Sequence, residues 1–256
     1  MNHLIKSYPN FWWKSTNQHG IHSPFVYRLV CLCFYDKEDY SSYPTLQKFR
    51  KEILNDQREI KVKDLGAGSQ VFQEDKRKVS DIAKNAGTTW TRSKFLNRLT
   101  RYFQIKTAVE LGTSVGIGAA SIACNNPVKL LSIEGCPQTA AVAQSYFDNY
   151  NLSNIQLQVG DFKEKIPNIP FQKIDMAFID GHHSKDATLA YFEALLPLVH
   201  NETLFIFDDI YWSAGMQEAW EEIKKHPQVK VTIDTFYWGL VFFRKEQVKE
   251  DFKIRL

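Results

Sequence analysis

From about residue 107 onward, apolar and polar positions settle into a repeating order. Apolar runs at 107–111, 129–134, 155–159, 174–179 and 203–207 alternate with stretches of helical periodicity. Runs that carry apolar side chains on both faces predict strands covered on both sides, as in a parallel sheet flanked by helices. The last two runs, 229–234 and 240–244, are separated only by a short loop containing Gly239. So short a gap cannot hold a crossover helix and predicts an antiparallel pair. The expected fold class is α/β: a seven-stranded, mostly parallel sheet with a C-terminal antiparallel strand.

The first hundred residues lack this alternation. Ser23-Pro24 opens an amphipathic helix running to about Tyr35, with proline in the first turn where helices accept it. Helical patterns recur at 44–57, 75–86 and 92–103, and no Pro/Gly/Ser linker separates them from the strands that follow. Residues 1–104 therefore read as an N-terminal helical cap packed on a domain of residues 105–256. Repeats and low-complexity tracts are absent from the sequence.

Composition narrows the partners. Of 256 residues, 44% are hydrophobic and 14% aromatic, enough for a well-buried core. The net charge is only +3, with lysines and glutamates interspersed. There is no basic stripe to track a phosphate backbone, which argues against nucleic acid. No run approaches the roughly 18–20 apolar residues of a membrane span. The opening Met-Asn-His-Leu-Ile-Lys-Ser-Tyr-Pro lacks a signal peptide's apolar core. Cys31, Cys33, Cys124 and Cys136 show no metal-ligand spacing, and the first two sit in an apolar run as buried thiols would. A reducing, cytoplasmic location is expected.

The candidate chemistry begins at Val109-Glu110-Leu111-Gly112-Thr113-Ser114-Val115-Gly116-Ile117-Gly118. A buried strand ends in an acid, turns through glycines and enters a helix of small residues, leaving backbone bare for a ligand. Dinucleotide enzymes want G-x-G-x-x-G, and glycines at 112, 116 and 118 do not fit that spacing. Glu110 would repel a pyrophosphate but welcome a cationic amino-acid moiety. The next strand ends in Glu134, well placed to accept hydrogen bonds from both hydroxyls of a ribose. Asp64-Leu65-Gly66-Ala67-Gly68-Ser69 looks similar, but polar residues follow and no strand ending in an acid appears some 20 residues on. It reads as a tight turn or a loop folded over the active site.

The pattern E-L-G-x-x-x-G resembles the first motif of class I S-adenosylmethionine (SAM) methyltransferases, whose sheet is Rossmann-like. The resemblance spans about residues 105–245. It implies that Glu110, Gly112, Thr113, Ser114 and Gly116 hold the methionine end of SAM. Glu134 and Gly135 would then take the ribose, Gly160 and Asp161 the adenine, and Asp180 would help shape the pocket. Read on its own, Asp161 equally suits a helix cap.

Two further strands end in acids: Phe178-Ile179-Asp180-Gly181-His182-His183 and Phe207-Asp208-Asp209-Ile210. Three carboxylates at one sheet edge repel one another unless a cation joins them. Oxygen donors suit Mg²⁺ or Mn²⁺, so Asp180, Asp208 and Asp209 are the candidate metal ligands. The run Phe178–Trp212 resembles small-molecule O-methyltransferases of the methyltransferase 24 kind and their catechol-type relatives, some of which use such an ion. Catechol-type enzymes carry a lysine three residues after the first metal acid; here that position is His183. Antibiotic-sugar enzymes carry an acid two residues after it; here that is His182. An imidazole can take a hydroxyl proton at neutral pH, which makes His183 the first candidate base and His182 the second. Tyr211-Trp212-Ser213 is a candidate substrate wall. Phe11-Trp12-Trp13 reads as packing, and His19 and His22 as turn residues.

The expected function is methyl transfer from SAM to a small hydroxylated acceptor, by an enzyme that related chains suggest is a homodimer. Three rivals stay open: a nucleic-acid or protein methyltransferase without metal, an NAD-dependent oxidoreductase, and a non-catalytic nucleoside-binding module.

Overall fold

The computed structural model describes residues 2–62 and 76–256, so the glycine-rich stretch at 64–69 lies outside the described residues. The chain forms two compact units, one of residues 1–37 with 171–256 and the other of residues 38–170. The expected cap of residues 1–104 is thus shared between them.

The chain opens with α1 (Asn2–Lys14) and α2 (Pro24–Leu29). Ser23 Oγ accepts the Val26 N–H at 3.4 Å and Pro24 takes the first helical position. The helix then widens into a π turn, Val30–Phe34, where the Tyr35 N–H reaches the Val30 carbonyl at 2.9 Å. Helix α1 was not foreseen, because Pro9 in its middle reads as a break.

In residues 38–170, α3 (Tyr43–Asn55) precedes a small antiparallel pair, β1 (Glu59–Lys61) and β2 (Lys76–Lys78). Next come α4 (Val79–Ala86), α5 (Trp90–Tyr102), β3 (Thr107–Leu111), α6 (Ile117–Ala123) and β4 (Lys129–Glu134). The unit ends with α7 (Pro137–Asn149), β5 (Ile155–Val159) and α8 (Phe162–Lys165). Strands β3, β4 and β5 pair in parallel, as their apolar faces predict. Val109, Leu111, Leu131 and Ile133 are fully buried. Buried Asn97 fixes the position of α6: it donates to the Ser121 carbonyl at 2.9 Å and the Cys124 carbonyl at 3.0 Å, and accepts from Ser42 Oγ at 2.7 Å. With those partners a buried amide costs little and specifies one arrangement.

The other unit continues with β6 (Met176–Ile179), α9 (Lys185–Leu195), β7 (Leu204–Phe207), α10 (Ala214–Lys225), β8 (Val231–Asp234), β9 (Gly239–Phe242) and β10 (Glu250–Lys253). Within it the strands lie in the order β10-β8-β9-β7-β6. The β8–β9 pair is antiparallel, as expected, and β9 is antiparallel to β7. Gly239 faces Trp220, whose ring lies 2.6 Å from where a Cβ would stand, so only glycine fits there. Strand β10 is a further strand that the apolar pattern did not announce, parallel to β8. Its polar Glu-Asp-Phe-Lys sequence suits an edge strand with one paired side.

The N-terminal residues are stitched to this strand. Thr16 N–H donates to the Lys253 carbonyl at 2.8 Å, and Arg255 N–H to the Thr16 carbonyl at 3.1 Å. Tyr35 Oη donates to the Arg255 carbonyl at 2.8 Å. Those bonds explain why residues 1–37 go with the C-terminal half. The fold is mixed α/β with mostly parallel pairing and antiparallel strands near the C-terminus, as the sequence predicts. Among the described residues no helix is long and apolar enough to cross a membrane.

Candidate active site

Within residues 38–170 the glycine turn is held from below by a chain of side chains. Gly112 and Gly116 adopt φ of +104° and +92°, and Ser114 between them stands at +49°. Left-handed backbone there lets the Ser114 N–H donate to Glu134 Oε2 at 2.8 Å, while the Cys136 N–H donates to Glu134 Oε1 at 2.9 Å. Two amides thus fix the carboxylate of Glu134 at the tip of β4.

Glu110 is fully buried. Its Oε2 accepts from Ser132 Oγ, and Ser132 Oγ pairs with Thr113 Oγ1 at 2.5 Å, so acid, strand and turn form one network. Among the described residues its Oε1 has no hydrogen-bond partner. Burial pushes the carboxyl up to about 8; the Ser132 hydrogen bond opposes this and the Glu134 charge adds to it. A buried, unpartnered carboxyl oxygen beneath a bare glycine turn, next to a carboxylate fixed by amides, fits the ammonium and ribose of SAM. Asp161 is exposed and accepts the Lys163 N–H at 2.8 Å, as a helix cap would. Gly135 and Gly160 flank these acids and are half-buried.

Within residues 171–256, β6 and β7 deliver the acids and histidines. His183 Nε2 lies 3.7 Å from Asp180 Oδ1, and both side chains are partly exposed. Burial holds the His183 imidazole below its ordinary value, against the raising charge of Asp208 and with a lowering contribution from His182. Those effects together favour the neutral ring, the form that accepts a proton. His182 stands at φ +60° with its ring 6.3 Å from Tyr191. The Trp212 ring is 6.4 Å from that of His183, tilted by 45°.

The proposed substrate wall divides. Tyr211 is buried, its Oη donating to Asp234 Oδ2 at 2.7 Å, and Ser213 caps α10 by accepting the Met216 N–H at 3.1 Å. Only Trp212 is left for a ligand to meet.

The three acids do not assemble into a metal centre. Asp208 is buried and its Oδ1 accepts the Asp209 N–H at 2.9 Å, while Asp209 sits at φ +52°. Among the described residues no set of three His, Cys, Asp or Glu side chains is gathered as metal ligands require.

Residues 109–210 match the family model of the methyltransferase domain of the methyltransferase 24 kind. In fold the chain is similar to the O-methyltransferase from Bacillus cereus in complex with S-adenosylhomocysteine (SAH), with a TM-score of 0.56 and 17% identity over 83% of this chain and 95% of that one. It is also similar to the O-methyltransferase of tomaymycin synthesis from Streptomyces achromogenes in complex with SAM (TM-score 0.56, 16% identity, 84% and 95% covered). The SAH-bound methyltransferase of Podospora anserina gives a TM-score of 0.61 at 11% identity, with 88% and 97% covered. No curated protein sequence matches the chain. Over residues 109–210 the chain is thus similar to a methyltransferase domain, and its fold is similar to that of SAM- and SAH-bound methyltransferases, as its glycine motif implies.

Ser132 escaped the sequence reading, although it links Glu110 to Thr113. The signal was there: it is the lone hydroxyl between Leu130 and Ile133 in an otherwise apolar strand. The partners of Tyr211 left no such mark, because Asp234 and Lys253 lie far along the chain.

Proposed function

We propose that this chain is a SAM-dependent methyltransferase (EC 2.1.1) that methylates an oxygen of a small hydroxylated acceptor. The observation that carries the reading is the carboxylate of Glu134, fixed by the Ser114 and Cys136 amides at the tip of β4. Glu110, Gly112, Thr113, Ser114 and Gly116 would hold the methionine end, Glu134 and Gly135 the ribose, and Gly160 and Asp161 the adenine. Bound SAM supplies a methyl group on a sulfonium, already a good leaving group, so the protein's task is mainly positioning and proton removal.

His183 is the proposed general base. Its neutral imidazole takes the acceptor's hydroxyl proton, and the Asp208 charge, which favours the protonated ring, stabilises the imidazolium that results. Asp180 beside Nε2 helps orient the ring. His182 is the second candidate. No step is routed through a cation.

The test has two readouts. SAH should bind one per chain in a calorimetric titration. With any hydroxylated probe that turns over, His183→Ala should lower kcat by about 10²–10⁴-fold and leave SAH affinity unchanged. Absence of SAH binding would sink the cofactor reading; undiminished turnover in His183→Ala would remove the histidine from the chemistry.

A further inference from the structure

We infer that Glu110 is carried as a neutral acid and gives up its proton when the cationic amino-acid end of the cofactor docks at the glycine turn. Cofactor binding is then a proton-coupled event. The inference rests on the cofactor reading above and assigns Glu110 a specific part in it.

The geometry comes first. Glu110 is fully buried, one oxygen is tied through Ser132 to Thr113 of the turn, and the other has no hydrogen-bond partner among the described residues. An ionised carboxylate with a bare oxygen in that setting would carry a large uncompensated desolvation cost. Among the described residues the groups that act on Glu110 are Ser132 and Glu134, and neither brings a positive charge. Helix α6, Ile-Gly-Ala-Ala-Ser-Ile-Ala, has no titratable group. On the neighbouring strand, Ser132 is neutral and Glu134 adds a second negative charge. The consequence is a carboxyl that titrates near pH 8 and is mostly protonated at neutrality.

An arriving ammonium reverses this balance, since an opposite charge in a poorly solvated site favours the ionised form. The O–H bond of Glu110 breaks, the electron pair stays on the carboxylate, and the proton passes to buffer. No other bond changes. The sign of the linkage follows: binding releases a proton, so affinity rises with pH while free Glu110 is protonated. It levels off above the free protein's titration point near 8.

The experiment is calorimetric titration of SAH at pH 7 in phosphate and in Tris, whose ionisation heats differ widely. The wild-type protein should release about one proton per SAH, and its affinity should tighten about tenfold between pH 6 and pH 7. Glu110→Gln should release none and show a flat profile over that range. Ser132→Ala should stay proton-coupled but level off at a higher pH, because the bond that holds the carboxyl down is gone. SAH binding with no buffer dependence in the wild type would overturn the inference. So would a proton release that persists in Glu110→Gln. Failure of SAH to bind in any buffer would instead sink the cofactor reading itself.

Discussion

The glycine turn at 110–136 and the acid–histidine edge at 180–212 are both rich in polar groups, but they are built from different materials. In the turn the working groups are largely backbone: the Ser114 and Cys136 amides, exposed by left-handed residues, and side chains whose partners lie within 25 positions. At the edge the acids and histidines are side chains with near neighbours, Asp209 for Asp208 and His183 for Asp180, and the segment that follows them is held by remote side chains. Tyr211, two residues beyond Asp209, is locked by Asp234, and Lys253 on β10 donates to Tyr211 Oη at 2.7 Å and pairs with Asp234 at 3.0 Å. A site made of backbone is vulnerable to an added Cβ. A site made of distant side chains is vulnerable to the loss of a partner.

The largest expected effect breaks the turn. At Gly116 a Cβ would stand 2.7 Å and 2.8 Å from ring carbons of Phe147 and 3.3 Å from the Ala143 Cβ, at a φ of +92°. Phe147 is 1% exposed and has nowhere to go. Gly116→Ala must therefore shift the turn and pull the Ser114 amide off Glu134. The expected cost is about 3 kcal/mol, read as a drop in the unfolding midpoint. SAH affinity should fall by about a hundredfold. Unchanged SAH affinity would show that the turn does not depend on this glycine.

The edge should respond more mildly, and in stability rather than in cofactor affinity. Tyr211→Phe removes a buried hydroxyl but leaves Asp234 paired with Lys253 and bonded to the Phe236 N–H at 2.8 Å. Phe236, at φ +74°, keeps its stack on the ring at 5.0 Å. Losing the hydroxyl's bond to Asp234 and the one it accepts from Lys253 costs about 2 kcal/mol, measurable by chemical denaturation, while SAH binding should stay within twofold. A large loss of SAH binding would couple two regions that the comparison treats as separate.

The same contrast explains what was legible beforehand. The turn could be read because its chemistry is local: glycine where φ is positive, an acid at each strand end, small residues in α6. The parallel strands could be read because their runs are apolar on both faces. Strand β10 could not, because an edge strand needs only one apolar contact, here Phe252. Helix α1 was hidden by Pro9, although Phe11 is buried and stacks tilted on Phe236 at 5.3 Å. The edge was read for its composition, three acids and two histidines, and composition invites a metal. Its arrangement depends on which group each carboxylate turns toward, and that is settled by tertiary contacts. Glu110 was read as a docking point for a cation. That its carboxyl is pushed up by burial and by the Glu134 charge, against the Ser132 hydrogen bond, depends on contacts across the sheet that a one-dimensional pattern does not pair.

The smallest expected effect concerns that cation. A divalent ion needs several oxygens converging at about 2.0–2.6 Å, and here Asp208 turns an oxygen back to the Asp209 amide while Asp180 faces His183. To bind an ion, Asp208 would have to turn toward Asp180 and Asp209 and lose its present setting, and Asp180 would lose its place beside the imidazole. Each of those losses subtracts from the ion's affinity. Mn²⁺ titrated into chelator-treated protein saturated with SAH is therefore expected to find no one-per-chain site, and Asp208→Ala should leave the titration unchanged. A stoichiometric site abolished by Asp208→Ala would mean the opposite: the acids reorganise around an ion, their present partners are placeholders, and the acceptor oxygen is oriented by the metal as well as deprotonated by His183.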